Sequence, residues 1–170
     1  MHRRSWIFAA AAAFASLAAT GATAQALTAQ RTVLTSYAAS QMVAACMAVA
    51  ARDELDIAIA VVDPSGNLLA FQAAEGASER GILTSQLKAK TAARWQRSTA
   101  DLFDRVNNNV NRAPEFVGDF PQPGGFPIFI DNALIGAVGA GGGVGSGDDE
   151  CAMHAIQTIF GDSATTVRAE

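Results

Sequence analysis

The sequence predicts an α+β fold: an antiparallel sheet of four to five strands from two hairpin units, flanked by helices. Two pairs of short β-prone runs are each joined by a tight turn, at residues 56–71 and 126–140. Such hairpins pair their strands antiparallel. Segments with helical spacing precede, separate and follow the two pairs. Hairpins covered by helices are typical of α+β domains.

The N-terminal segment predicts a signal peptide that covers residues 1–24. Arg3 and Arg4 give a positively charged start, and residues 7–19 form an Ala-rich apolar run. Small residues allow cleavage after Ala24 or, as an alternative, after Ala26. The apolar run is too short for a good membrane span, and no later run is long enough. We therefore expect an exported, soluble protein that is periplasmic or secreted.

The charge balance argues against nucleic acid or a membrane as a partner. The formal net charge of the whole sequence is −4, and loss of Arg3 and Arg4 makes it −6. The remaining residues, 25–170, are enough for a single domain with one core. An acidic chain is repelled by polyanions. We therefore expect a small-molecule ligand, no nucleic acid, and no membrane association after signal cleavage.

Two cysteines, Cys46 and Cys151, leave two interpretations open. An even pair in an oxidising compartment favours a disulfide, whereas buried thiols would behave as small apolar side chains. Neither cysteine lies in a redox or haem-attachment motif, and no Cys/His cluster predicts a metal site. His154 is the only histidine that remains after cleavage of the signal peptide.

The first half of the mature chain predicts a helix followed by a hairpin. Residues 28–54 have helical spacing, and Thr28 can cap this helix. Residues 56–63 form a nearly uninterrupted apolar run, which predicts a strand that is covered on both faces. Residues 64–67, Pro-Ser-Gly-Asn, predict a tight turn in which Asp63 hydrogen-bonds, and residues 68–71 return.

A second helix is predicted at residues 79–97, with Ser78 as its cap. One face carries residues at four-residue steps: Leu83, Leu87, Thr91 and Trp95. Another face carries a basic stripe: Lys90, Arg94 and Arg97. This stripe fits either a clamp for a ligand carboxylate or an ordinary solvated face.

The remaining chain predicts a short helix, an irregular loop and a Gly-rich unit. The short helix runs from Ser98 to about Val106, and the loop at residues 107–122 is typical of a lid or an oligomer contact. Residues 123–150 hold most of the chain's 15 glycines and predict a second hairpin before a last helix at 148–160. Gly136 and Gly139 fall on opposite faces of one strand, where either a flat ligand or a tightly packed helix can approach.

Five motifs, taken in this order, resemble the GlcG/HbpS-like family, which is often described as haem-binding. They are AVVDPSGNLLAF at 60–71, KAKTAARW at 88–95, PGGFPI at 123–128, IGAVGAGG at 135–142 and DDECA at 148–152. The resemblance covers nearly the whole mature chain. It implies a sheet flanked by helices, assembly into a compact homo-oligomer and, in exported members, binding of haem.

The same resemblance implies a position for the cofactor, because the haem-linked helix of the family is similar to the KAKTAARW segment. Its threonine matches Thr91, and the segment contains no histidine. The cations would meet haem propionates, and the indole would pack on the macrocycle. With the glycines expected to border the pocket, the candidate cofactor-binding residues are Lys88, Lys90, Thr91, Arg94, Trp95, Gly124, Gly125 and Gly139.

Two main classes of function fit the sequence. The first is a binding module for haem or another flat anionic molecule. The second is an enzyme that acts on a small organic carboxylate or a ring-derived acid, which the cations would hold. A catalytic base for it would be Lys88, Lys90, Asp148 or Glu150, because no triad or metal set is evident. A purely structural oligomer is a third interpretation.

Overall fold

A computed structural model describes residues 29–143 and 146–167. All helices and strands described here lie in a compact unit that begins at Thr32. In chain order they are α1 (Ser36–Arg52), β1 (Ala58–Val62), β2 (Leu68–Ala73), α2 (Glu79–Trp95), α3 (Thr99–Asn107), α4 (Ala113–Phe116), β3 (Gly125–Ile130), β4 (Ala133–Gly141) and α5 (Gly147–Phe160), then a 3-10 turn (Gly161–Ser163). The predicted signal peptide, residues 1–24, lies outside the described residues.

The four strands form one sheet in the order β2-β1-β4-β3, and every neighbouring pair is antiparallel. The two hairpins lie side by side, and the inner strands β1 and β4 join them. This arrangement confirms the predicted α+β class and the sheet built from two hairpin units. Every residue of β1 is buried, as its uninterrupted apolar sequence predicted.

Helices cover the two faces of the sheet. α2 packs over Ala60, Val62 and Ala137 of the sheet. The apolar side chains that α2 brings to this layer are Ala89, Ala92 and Ala93. α1 and α5 pack on the other face, in a larger core that includes Ile59 and Val61 of β1. Successive side chains of a strand point to opposite faces, so β1 supplies both layers. The small side chains between α2 and the sheet let this helix lie close to the strands.

Turn chemistry sets the register of both hairpins. In the first, Asp63 Oδ1 accepts hydrogen bonds from the backbone N–H groups of Ser65 and Asn67, at 2.8 and 2.9 Å. Asn67 Nδ2 donates to Asp63 Oδ2 at 2.8 Å, so Asp63 organises this turn as predicted. In the second, Asp131 and Asn132 have φ of 49° and 61°, the left-handed pair that a two-residue hairpin loop requires.

The first helix is shorter than predicted, because it begins at Ser36 rather than near Thr28, which lies outside the described residues. Thr35 caps the helix, with its Oγ1 accepting from the N–H of Ala38 at 3.1 Å. Just before this cap, the N–H of Leu34 donates to the carbonyl of Ile135 in β4 at 2.8 Å. The prediction was wrong here because an extended segment bound to the sheet also places apolar residues inward.

The loop predicted at residues 107–122 contains a short helix, α4, with Pro114 in its first turn. Asn109 precedes it with a φ of 55°, a left-handed conformation that asparagine tolerates better than most residues. Beyond α4, residues 117–120 return to the surface of α2, where their contacts become part of the site described below.

Cys46 of α1 and Cys151 of α5 form a disulfide, with their Cα atoms 4.9 Å apart. Both residues are fully buried in the core on one face of the sheet. The sequence left open a disulfide or two buried thiols, and the structure contains the disulfide. Among the described helices, none has the length and apolar character needed to cross a membrane.

Candidate functional site

The helix α2 carries five of the eight residues that the sequence singled out for ligand binding. Ser78 caps it as predicted, with its Oγ accepting from the N–H of Gly81 at 3.1 Å. The α2 face toward the sheet carries mostly small side chains and includes the polar residues Ser85, Lys88 and Thr91. Leu83, by contrast, is 57% exposed. Helix and sheet are therefore close enough for α2 side chains to bond directly to strand backbone.

Lys88 is buried inside the protein, and only 5% of its side chain is exposed. Its Nζ donates to Asp148 Oδ2 at 2.5 Å and to the carbonyl of Ala140 at 2.9 Å. The other oxygen of Asp148 accepts from the N–H of Gly143 at 2.7 Å. Lys88 thus joins α2 to β4 and to the first turn of α5, and its ammonium is engaged by protein groups.

Gly124 and Gly125 pass directly over this lysine, so their lack of a side chain is a packing requirement. A Cβ atom on Gly124 would lie 2.9 Å from Lys88 Nζ and 2.8 Å from Asp148 Cβ. A Cβ atom on Gly125 would lie 2.7 Å from the carbonyl oxygen of Lys88. The predicted proximity of these glycines to α2 is therefore present, but protein atoms fill the space between them.

Gly139 explains how closely α2 approaches the sheet. A Cβ atom at this position would lie 2.3 Å from the Ser85 carbonyl oxygen and 2.4 Å from the Ala89 nitrogen. Of the two explanations for this glycine, the packed helix is the one found. The prediction of a flat ligand lying between Gly139 and α2 is wrong at this point, because no space separates them.

Thr91, Arg94 and Trp95 hold residues 117–120, which we call the strap. Thr91 Oγ1 accepts from the N–H of Phe120 at 2.9 Å. Arg94 Nη1 donates to Asp119 Oδ1 at 2.9 Å and to the Val117 carbonyl at 3.3 Å. Trp95 Nε1 donates to Asp119 Oδ2 at 2.5 Å. These three α2 side chains thus bind a segment of their own chain.

Lys90 and Arg94 line a cleft of about 400 Å³, and the β1–β2 turn forms its other wall with Pro64, Ser65 and Gly66. A Cβ atom on Gly66 would be 3.7 Å from Lys90 Cγ, so the turn rests on the lysine stem. Lys90 is exposed, and 56% of the Arg94 side chain is exposed. The cleft therefore offers two cations to an anionic ligand.

Asp149 is a candidate that the sequence analysis did not single out. Burial raises the pKa of its carboxyl, and the N–H of Gly124 and the charge of Lys88 oppose this rise. Its Oδ1 is buried and finds no hydrogen-bond partner among the described residues. The acidic run 148–150 at a helix start was a visible signal, but favourable interaction with the helix dipole explained it equally well.

His154 lies apart from these groups. It is exposed on α5, which packs with α1 on the sheet face opposite α2. Its Nε2 is 3.3 Å from Thr158 Oγ1, one helical turn further along. Within the described part of the chain, no three or more His, Cys, Asp or Glu side chains come together in a way that could hold a metal ion.

Comparison with known proteins adds a family and several structural relatives. A family model described as "Haem degrading protein HbpS-like" matches residues 34–157. Protein GlcG of Escherichia coli K12 is 33% identical over 112 residues, which are 64% of this chain and 81% of GlcG. The structure of a double mutant of Streptomyces reticuli HbpS has a TM-score of 0.73 at 28% identity, covering 87% of this chain and 99% of HbpS.

A solved complex of PduOC with haem also shares the fold. Its TM-score is 0.73 at 22% identity, and the match covers 80% of this chain and 99% of that protein. At this identity the likeness concerns the fold alone. The four-stranded antiparallel sheet with flanking helices is therefore an architecture that this chain has in common with solved relatives.

Proposed function

This chain belongs to the HbpS-like family, and on that premise we propose that it is an exported protein that binds haem or a related flat anionic molecule. The description of the family refers to haem, and a protein of the same fold forms a complex with haem. The cationic cleft beside α2 is the observation that carries the proposal. The family and the local chemistry thus point to the same class of ligand.

The cleft suits the carboxylate end of haem. Lys90 and Arg94 are two cations on one wall, and haem carries two propionates, so one charge-assisted contact is available for each. Pockets for drug-sized ligands span roughly 300–1,000 Å³, and this cleft of about 400 Å³ lies at the small end. Part of the macrocycle would therefore remain outside the cleft.

The residues of the cleft would bind haem chiefly through its edge. When bound, haem supplies an iron centre whose properties depend on its axial ligand. Among the described residues that line the cleft there is no His, Cys or Met side chain. Lys90 and Arg94 would orient the propionates, and Pro64 and Gly66 would exclude water from one face. We therefore expect reversible loading.

Titration of the purified mature protein with haemin, followed by the Soret band, tests this proposal. Replacing Lys90 by Gln should weaken binding about tenfold, because one charge-assisted contact of about 1–3 kcal/mol is lost. Arg97→Gln is the matched control, since it removes one positive charge from an arginine that pairs with Asp101 outside the cleft. Equal effects of the two substitutions, or no Soret change in the wild type, would count against the proposal.

Export is proposed from the charged start, the apolar run and the small-residue cleavage site in residues 1–26. The mature protein would then be periplasmic or secreted, where the disulfide can form and persist. Intact mass of the exported protein tests this: we expect a chain that lacks residues 1–24 or 1–26. An exported form that retains Met1 would refute it.

A homo-oligomer is also proposed. β2 is an edge strand, and its Leu68 and Phe71 are 48% and 36% exposed. Tyr37, at the start of α1, is 76% exposed. Exposed apolar residues, and a strand edge that pairs with no other described strand, each favour burial against another copy. Light scattering at micromolar concentration should give a multiple of the chain mass, and a monomer would contradict this proposal.

The second candidate function is an enzyme that acts on a small organic carboxylate. One observation favours it: the half-buried Asp149 has a raised pKa and lies beside the Lys88–Asp148 pair. One of its carboxyl oxygens has no hydrogen-bond partner among the residues that the structure describes. A carboxyl of this kind can exchange a proton with a substrate carbon. Hydroxy and keto acids incubated in D₂O, followed by NMR, would reveal exchange that Asp149→Asn abolishes and that the exposed control Asp162→Asn retains.

A further inference from the structure

The contact between α2 and the strap contains a complete set of donors for one carboxylate. Asp119 accepts one hydrogen bond on each oxygen, from the guanidinium of Arg94 and from the indole N–H of Trp95. Only 3% of the Asp119 side chain is exposed, although the strap itself lies at the surface. A charged group and a neutral donor therefore converge on a shielded anion, as they would in a site for a bound carboxylate.

Arg94 also takes part in a second environment. The same side chain lines the cleft with Lys90, and 56% of it is exposed. Its guanidinium is thus shared between an internal anion, Asp119, and any anion that enters the cleft. A guanidinium group carries five N–H donors on three nitrogens. In Arg94, Nη1 makes the hydrogen bonds to the strap.

We infer that Arg94 and Trp95 form a carboxylate-binding subsite, that Asp119 occupies it in the ligand-free chain, and that a ligand carboxylate displaces Asp119. The carboxylate of Asp119 here stands in for that of the ligand. This inference rests on the proposed function, because the ligand enters through the same cleft. It assigns to Asp119 the role of a built-in competitor.

The first half of the strap has little packing around it. A Cβ atom on Gly118 would meet nothing within 4 Å, and Val117 is 52% exposed. Hydrogen bonds to Arg94, Trp95 and Thr91 tie the strap to α2. Exchange of one carboxylate for another breaks the pair with Asp119 but leaves Arg94 with one anionic partner, so the charge balance at Arg94 is unchanged.

Competition by Asp119 also determines which ligands bind. A ligand with a single carboxylate replaces the contacts that Asp119 already makes and gains no further ion pair. A ligand with two carboxylates gains a second contact at Lys90, for which the described residues show no internal competitor hydrogen-bonded to its amine. The site should therefore select flat dicarboxylates, such as a porphyrin with two propionates, over monocarboxylates of similar shape.

The test uses protoporphyrin IX, which has both carboxylates, and its dimethyl ester, which has none. Replacing Asp119 by Asn keeps the shape and removes the competing charge, so the free acid should bind about tenfold more tightly. Binding of the ester should not change. Asp104→Asn is the control, because it removes the same charge from an exposed residue of the neighbouring helix α3. Porphyrin fluorescence measures both affinities.

Hydrogen exchange on the wild-type protein gives a second measurement in case the variant does not fold. The N–H of Phe120 donates to Thr91 Oγ1, so release of the strap should speed its exchange when the free acid is added. Faster exchange with the acid but not with the ester supports the inference. Exchange that the acid leaves unchanged overturns it.

The outcomes separate this inference from the proposed function. If the free acid binds the wild type but Asp119→Asn binds it equally or more weakly, the competitor role is wrong and the proposed function stands. If no porphyrin binds to any variant, the proposed function fails, and this inference fails with it. If Asp119→Asn and Asp104→Asn raised the affinity for the free acid equally, net charge would explain the effect, and the inference of a carboxylate subsite would be overturned.

Discussion

Lys88 Nζ lies 2.5 Å from Asp148 Oδ2, and this buried ion pair joins the middle of α2 to the first turn of α5. Removing one partner of such a pair leaves the other as an uncompensated buried charge. We predict that Lys88→Met lowers the free energy of unfolding by about 3–5 kcal/mol, measured by urea denaturation.

The double variant Lys88→Met/Asp148→Asn separates the pair from general packing. It should lose less stability than Lys88→Met alone, because neither member of the pair is then left as an unpaired charge. Arg97→Met is a surface comparison: its pair with Asp101 is exposed on both sides and should contribute less than about 1 kcal/mol. A Lys88→Met variant as stable as Arg97→Met would contradict the prediction.

The close contact between Gly139 and α2 gives a second prediction. Gly139→Ala should destabilise the fold by about 1–3 kcal/mol, because the new methyl group would overlap backbone atoms of Ser85 and Ala89. Gly147→Ala, in the first turn of α5, is the matched control. Among the described residues, the neighbour of its Cβ would be Leu55 Cδ1 at 3.9 Å, an ordinary van der Waals distance. Alanine is the better helix former, so this control should be neutral or stabilising. Equal melting temperatures for the two variants would refute the predicted overlap.

The disulfide gives a third prediction. Cys46 and Cys151 are 105 residues apart in sequence, so the bond restricts a long loop of the unfolded chain. Replacing both cysteines by alanine should lower the free energy of unfolding by about 2–5 kcal/mol. A reductant should lower the melting temperature of the wild type to that of the variant and leave the variant unchanged. A wild type that is insensitive to reductant under unfolding conditions would contradict this.

Local patterns in the sequence predicted the elements, because turn chemistry and hydrophobic spacing act over a few residues. The Asp63 turn and the Ser78 cap are both of this kind. The predicted start of α1 was wrong because the backbone N–H of Leu34 hydrogen-bonds to the carbonyl of Ile135, which is distant in sequence. A helical spacing cannot reveal that its first apolar residue pairs with a strand.

The candidate site was harder to predict for the same reason. Lys88 and Lys90 are two residues apart on a helix, so they point in very different directions. One is buried against Asp148, and the other lines the cleft. The partner of Arg94, Asp119, is 25 residues away in a loop without periodicity. Residue type identifies the cations, but only tertiary structure distinguishes a buried ion pair from a candidate ligand contact.

The last prediction concerns the pH dependence that Asp149 gives to stability. Burial raises the pKa of its carboxyl in the folded protein. Folding therefore favours the protonated form, so its contribution is fully present below the unfolded pKa, about 3.9, and is lost as pH rises through the folded pKa. The side chain of Asp149→Asn cannot ionise. As pH rises from acidic to neutral, the free energy of unfolding of this variant should therefore increase relative to that of the wild type. Urea denaturation across that range measures the difference.

Asp63 provides a control with the opposite sign. Although burial opposes it, hydrogen bonds from Asn67, Ser65 and Gly66 lower the pKa of the Asp63 carboxyl. Its contribution is therefore present above the unfolded pKa and is lost as pH falls through the folded pKa. Asp63→Asn should be less stable than the wild type at neutral pH, and the gap should close in acid. If both variants shifted in the same direction with pH, a general charge effect would explain the result, and the carboxyl of Asp149 would not be the buried acid that the structure indicates.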